Sequence, residues 1–303
     1  MGIVCGVEEA GRGPVIGPMV MAACWSDDEE AVRKAGAKDS KQLTPAQREA
    51  VFERLLKLKK QKKIDFELAV LRPEEIDGAV QGAQDNLNKL ELRTSARLIN
   101  AALKRARLAT VIIDCPTVST AKYAAGVRKL LDREVEVIAE NKADESYVIV
   151  GAASVLAKVT RDREIEAIKR NIKVNFGSGY PADPLTQKFL RENYVKKEYA
   201  GYFRKSWASY RELAERSKQR LLSGYGSEEG EAMLTPVHAA ELKRFEALLE
   251  HGFELRPPTN RYEVVRLASK DASIIKYSTG KLVVQGKGKA AAERLLRRLN
   301  IRP

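Results

Sequence analysis

An apolar run that ends on two adjacent acids and passes at once into a glycine-rich turn constrains this chain more than any other feature. Gly6-Val7-Glu8-Glu9-Ala10-Gly11-Arg12-Gly13-Pro14 reads as a strand that delivers carboxylates to its carboxyl end and then reverses. Adjacent strand residues point to opposite faces, so Glu8 and Glu9 share one site only if the strand ends or bends between them. The following Gly11 is expected to permit that bend. Two further acids sit at element ends: Asp114 closes Ala109-Thr110-Val111-Ile112-Ile113, and Asp144 follows Asn141-Lys142-Ala143 at a helix start. Four carboxylates from separate elements, flanked by Arg12 and Lys142, are the hard oxygen donors that divalent ions take. Two such ions about 4 Å apart activate a water and stabilise a leaving oxygen in phosphodiester hydrolysis.

Charge points the same way. The 303 residues carry a net charge of +13, and clustered Lys and Arg favour a polyanionic partner through counterion release. Half of the excess lies late in the chain, where residues 232–303 hold 14 basic against 7 acidic residues. The only histidines are His238 and His251, which argues against His-based catalysis and against zinc held by His. Cys5, Cys24 and Cys115 lie in apolar runs without metal spacing and read as buried, reduced thiols of an intracellular, cytoplasmic protein. No stretch reaches the length of a membrane span, so no membrane partner is expected.

The organisation is that of two domains and a linker. Residues 1–222 alternate strand-like and helix-like segments: strands over Ile3–Glu8, Val15–Trp25, Ile64–Leu71, Val111–Asp114 and Val135–Ala139, and helices over Pro45–Lys60, Asn86–Arg107, Thr120–Leu131 and Asp144–Asn171. Thr44 caps the Pro45 helix, with proline at its first position. This pattern predicts an α/β domain with a mixed sheet flanked by helices. Residues 223–234 are small and polar, as a linker should be. Residues 235–303 predict a small α+β domain of order α-β-β-β-α: a helix from Thr235 to His251, strands over Arg261–Leu267, Ala272–Tyr277 and Lys281–Gln285 with a turn at Ser278-Thr279-Gly280, and a helix over Lys289–Leu299.

Over residues 3–222 the sequence resembles ribonuclease HII of the archaeal type. The likeness rests on Gly6–Pro18, on Asp39-Ser40-Lys41-Gln42-Leu43, on Asp114, on Lys142-Ala143-Asp144, on Ala152–Asp162 and on Gly177–Pro184, all in family order. It implies a ribonuclease-H-like fold, Mg²⁺ or Mn²⁺ as cofactor, and cleavage of the RNA strand of RNA–DNA hybrids. It also implies nicking of duplex DNA on the 5′ side of an embedded ribonucleotide, leaving 3′-hydroxyl and 5′-phosphate ends. The family's Asp-Glu-Asp-Asp metal quartet falls on Glu8, Glu9, Asp114 and Asp144. Its ribose-reading turn falls on Gly11, Arg12 and Gly13, where only glycine lets a backbone approach a sugar so closely. Tyr180 matches the tyrosine that packs on the sugar at the RNA–DNA junction. Ser40, Lys41, Ser154 and Lys158 match positions near the phosphate backbone, although an ion pair with Asp162 four residues on competes for Lys158.

Glu8 departs from the family, which has Asp there. The added methylene moves the carboxylate by roughly 1 Å, a misplacement that can cost about 10²-fold in rate. Two readings follow: an active ribonuclease H with altered rate or metal preference, and a nuclease-impaired protein that binds hybrids. A nuclease of the same fold acting on DNA alone is a third, against which Gly11–Gly13 and Tyr180 speak.

Residues 235–299 resemble the substrate-binding domain of ribonuclease HIII, itself similar to TATA-binding protein, through Arg256-Pro257-Pro258, Ile275–Leu282 and Val284–Gly288. That likeness implies that the domain holds the hybrid on its sheet, with Lys276, Tyr277, Lys281 and Gln285 as contacts. Gln219-Arg220-Leu221-Leu222-Ser223-Gly224-Tyr225 resembles the start of a sliding-clamp-binding motif, with Gly226 where a second aromatic belongs.

Overall fold

A computed structural model describes residues 2–38, 40–223, 245–256, 259, 263–277, 281–299 and 301. The chain divides into two compact units, Met1–Ala214 and Glu215–Pro303.

The first unit is built on a five-stranded mixed sheet. Its strands are β1 (Ile3–Ala10), β2 (Met19–Ser26), β3 (Ile64–Leu71), β4 (Leu108–Asp114) and β5 (Glu136–Glu140), in the order β3-β2-β1-β4-β5. β1 runs antiparallel to β2 and parallel to β4, and β4 runs parallel to β5. β1 is therefore central and apolar on both faces. Cys5 and Val7 join one core with α4 (Leu87–Leu103) and α5 (Thr120–Arg128), while Val4 and Ala10 join the other with α2 (Pro45–Lys60) and α7 (Val148–Ile172). Gly6 is what lets α7 approach, since a Cβ there would lie 2.6 Å from the backbone of Ile149 and Val150.

Local chemistry accounts for the element ends. Thr44 and Gln47 form a reciprocal capping box ahead of Pro45, as the sequence predicts. β3 also falls on its expected residues. The strand expected over Val15–Trp25 begins only at Met19. Gly17 has a φ of +85° and Pro18 offers no N–H, so Val15 and Ile16 instead form a buried bridge segment against Phe203. The helix expected over Asp144–Asn171 is two, α6 (Ala143–Ser146) and α7, because Tyr147 between them is extended. The long helix expected over Asn86–Arg107 stops at Leu103, and two helices, α1 (Glu29–Lys34) and α3 (Pro73–Gln81), were not expected. α8 (Pro184–Asn193) follows, and α9 (Ala208–Ser223) starts within the unit and runs past its end at Ala214.

The second unit contains an antiparallel sheet of β6 (Glu254–Leu255), β7 (Glu263–Ala268), β8 (Ser273–Tyr277) and β9 (Leu282–Gln285), followed by the helix Lys289–Arg298. Its core includes Phe245, Phe253, Leu267, Ile274 and Leu296. β6 adds a strand to the expected α-β-β-β-α order. The expected first helix, the linker and the turn Ser278–Gly280 lie largely or wholly outside the described residues, apart from a helical turn at Glu246–Leu249.

Candidate active site

The parallel pairing of β1 with β4, whose register ends at Val7 opposite Ile113, brings Glu8 beside Asp114 at the carboxyl ends of the two strands. Asp144 arrives from the third direction. Lys142, in the left-handed region at φ 61°, turns the chain out of β5 into α6, and Asp114 accepts the Ala143 N–H at 3.0 Å. One carboxylate oxygen from each of Glu8, Asp114 and Asp144 lies within 4.8 Å of the others. Glu8 and Asp144 are buried, and Lys41 stands 3.5 Å from Asp144 Oδ2.

The arrangement calls for cations. Burial, then the negative charges of Glu9, Asp114 and Asp144, push the Glu8 carboxyl well above its usual range. Glu8 Oε2 is buried without a hydrogen-bond partner. A buried oxygen aimed into a carboxylate cluster fits a divalent ion, which would supply the missing ligand contact and offset the repulsion. Glu8, Asp114 and Asp144 would hold it.

Glu9 departs from expectation. β1 continues without a bend to Ala10, with Glu8 opposite Ala22 and Glu9 opposite Met21. The turn at Gly11 comes too late to bring the two acids onto one face, so alternation sends Glu9 to the other. There burial, Glu91 and Asp114 push its carboxyl up to about 8, against the pull of Arg12 and Lys41. Glu9 thus flanks the three-acid cluster from across the sheet edge. Glu91 was not foreseen: it lies wholly buried on α4, where its Oε1 accepts from Arg12 Nε at 2.8 Å.

The turn beside the acids is held from behind. Gly11 has a φ of +84°, and a Cβ there would meet Arg161 Nε at 2.9 Å and the Pro18 carbonyl at 3.0 Å. Arg12 directs its side chain onto α4, donating to Glu91 and Asn88, which leaves its backbone as the part of the residue on the turn. Tyr180 packs against the turn, with its ring 3.4 Å from where a Gly13 Cβ would stand. The loop carrying Tyr180 is tied in place: the Gly179 carbonyl accepts from Val15 and Ile16, and Arg161 donates to Ser178 O while its guanidinium lies 5.4 Å from the Tyr180 ring.

The remaining expected contacts divide. Ser154 Oγ donates to Ser40 Oγ at 2.9 Å, so α7 and the short 3-10 turn Ser40–Gln42 meet there, and Lys41 reaches the acid cluster. Asp39 lies outside the described residues. Lys158 is bound to Asp162 at 2.6 Å, the intrahelical pair that competes with a phosphate role. In the second unit, register places Ile274, Lys276, Leu282 and Val284 on one face and Tyr277 and Gln285 on the other. Lys276 therefore does not share a sheet face with Tyr277, and the expected lysine–tyrosine–lysine surface is reduced to Tyr277, Lys281 and Gln285.

The ribonuclease HII family model matches residues 5–210. The chain belongs to the ribonuclease HII family. Ribonuclease HII of Pyrococcus abyssi is 40% identical over 223 residues, covering 73% of this chain and 95% of that protein. Among solved structures, ribonuclease H2 from Pyrococcus horikoshii OT3 superposes with a TM-score of 0.62 at 40% identity, over 72% of this chain and all but 1% of its own, 99% being covered. Ribonuclease HII from Archaeoglobus fulgidus, solved as a complex with PCNA, gives 0.55 at 36% identity over 62% of this chain and 85% of that one. Membership in ribonuclease HII makes the chain a metal-dependent nuclease of the ribonuclease H class, served by Mg²⁺ or Mn²⁺, and the buried acidic cluster fits that requirement. The family match stops before the second unit begins. No helix among the described residues is long and apolar enough to cross a membrane.

Proposed function

We propose that the chain hydrolyses the RNA strand of RNA–DNA hybrids and nicks duplex DNA 5′ of an embedded ribonucleotide, leaving 3′-hydroxyl and 5′-phosphate ends. The observation that carries this reading is the convergence of Glu8, Asp114 and Asp144 immediately beside a glycine turn on which Tyr180 is stacked. When bound, two divalent ions supply an activated water on one side of the phosphodiester and charge neutralisation at the leaving oxygen on the other. Glu8, Glu9, Asp114 and Asp144 would hold them in this proposal. Gly11–Gly13 reads the 2′-hydroxyl, the group that marks RNA, and Tyr180 lies on the adjoining sugar. Lys41, with Ser40 and Ser154 beneath it, meets the phosphate backbone.

Residues 1–222 carry the catalysis in this proposal, and residues 235–303 hold the duplex through Tyr277, Lys281 and Gln285. A sliding clamp is a further proposed partner. It draws support from the Archaeoglobus complex and from Gln219–Leu222 at the end of α9, while Tyr225 lies outside the described residues. The nuclease-impaired alternative rests only on Glu8 standing in place of Asp.

The test uses two labelled duplexes, a full hybrid and DNA with one ribonucleotide, each with Mg²⁺ and with Mn²⁺, beside Glu8→Asp. Metal-dependent cutting by the unaltered chain is the expected result, with the preferred duplex defining its task. Tight binding without cutting, rescued by Glu8→Asp, would replace this proposal with the hybrid-binding alternative.

A further inference from the structure

The backbone of Gly11–Gly13 is gripped by one residue that belongs to no family motif named above. Arg204 is completely buried. Its guanidinium donates through Nη2 to the Gly11 carbonyl at 2.7 Å, through Nη1 to the Arg12 carbonyl at 2.9 Å and through Nε to the Gly17 carbonyl at 3.0 Å. Its plane lies near Trp207, whose Nε1 donates to the Gly13 carbonyl at 2.9 Å. Three successive carbonyls of the turn are thus drawn toward the protein interior.

Peptide geometry turns that grip into a recognition device. In a trans peptide the C=O and the following N–H point in opposite directions, and the chain has no cis bonds among the described residues. Drawing the Gly11 carbonyl inward aims the Arg12 N–H outward, and drawing the Arg12 carbonyl inward aims the Gly13 N–H outward. Neither N–H donates to any group among the described residues. The Gly13 carbonyl is different, because Pro14 follows it and carries no N–H; the Trp207 bond fixes the turn without presenting a donor. A cation bonded to the carbonyl end of a peptide also polarises it, which strengthens the N–H at the other end as a donor.

We infer that Arg204 is the positioning residue for ribose selection: it presents the Arg12 and Gly13 N–H groups as a pair of outward donors for a 2′-hydroxyl oxygen. The inference rests on the proposed reading of Gly11–Gly13 as the ribose contact and adds the residue that creates it. Arg161 completes the frame by holding the Tyr180 loop against the same turn. A site built to bond a hydroxyl discriminates strongly against the analogue that lacks it, and Arg204 reaches the substrate only through the backbone it orders.

The experiment measures affinity in the full chain carrying Asp114→Asn to block cutting, in Mg²⁺, for a DNA duplex with one ribonucleotide and for the same duplex entirely of DNA. The background chain should prefer the first. Adding Arg204→Lys, which retains the charge but not the three-pronged fork, should reduce that preference by about tenfold while leaving affinity for the all-DNA duplex unchanged. A preference that is unaltered, or a parallel loss for both duplexes, would overturn the inference. No preference before Arg204 is touched would instead overturn the reading of the turn, and the inference with it. Should Arg204→Lys not fold, amide exchange in the Asp114→Asn chain decides. The Arg12 and Gly13 amides should be slowed by the ribonucleotide duplex and not by all-DNA, and equal exchange with both would overturn the inference.

Discussion

Stripping divalent ions and raising the pH should destabilise this protein, and the acidic cluster sets the size of the effect. Burial, Glu91 and Asp114 hold the Glu9 carboxyl at about 8, against an ordinary 4.5. A carboxyl whose folded value lies above its unfolded one binds its proton more tightly in the folded state. The stability this confers is complete below about pH 4.5 and is lost as pH rises through about 8. For Glu9 alone, the step from pH 6 to pH 8.5 removes about 2.5 kcal/mol, or roughly 5–10 °C of Tm in a unit of about 200 residues. Glu8, also held high, acts in the same direction. Arg204, lowered to about 9 by burial and by Arg161, titrates mainly above this window. The assay is thermal unfolding by ellipticity in EDTA across that range, repeated with Mg²⁺, which should restore more of the Tm at pH 8.5 than at pH 6 because ions bind the ionised carboxylates. Glu9→Gln should flatten the EDTA profile. A Tm in EDTA that stays level or rises with pH, or an Mg²⁺ effect that does not grow, would show that Glu9 does not carry this pH dependence.

Three further outcomes follow from particular contacts. Gly6→Ala should destabilise the first unit by about 1–3 kcal/mol in urea unfolding, because α7 backbone lies where the new methyl must go. Tyr180→Ala should weaken binding of a ribonucleotide-containing duplex by about tenfold, a loss of sugar stacking like that seen for base stacking, with little change in the Tm of a side chain that is 39% exposed. Truncation after Ser223 should weaken hybrid binding and lower the slope of log affinity against log salt; an unchanged slope would remove the second unit from substrate binding.

Local signals made the frame legible. The Thr44–Gln47 box with Pro45, the apolar run of β3, and Asp114 at a strand's end are written within a few residues, and each stands where the sequence puts it. α3 carried a usable signal too, with Pro73 at its first position and Glu74 and Glu75 in its first turn. α1 carried end signals as well, with Asp28 at its N-cap, Glu29 and Glu30 in its first turn and Arg33 and Lys34 in its last, but its six residues bury only Val32, too few for an apolar periodicity to show. The site's support was the least legible part. Arg204 lies 192 and 193 positions from the Arg12 and Gly11 carbonyls it binds, and Glu91 is one acid on an otherwise ordinary amphipathic helix until α4 carries it to Arg12. Burial and pairing of such groups arise only when the chain is folded. The misjudged bend between Glu8 and Glu9 has a similar cause: pairing with β2 continues to Ala10 opposite Val20, and that pairing keeps the strand extended past both acids.

The most direct test of the account is single-turnover cleavage of a one-ribonucleotide duplex in Mg²⁺ by the unaltered chain and by Asp144→Asn, with duplex affinity measured in parallel. Asp144 is buried in the cluster, so removing its charge should cut the rate by about 10³-fold, several kcal/mol of lost charge stabilisation, while affinity for the duplex holds. Cleavage by Asp144→Asn at the rate of the unaltered chain would place the chemistry elsewhere and contradict the account.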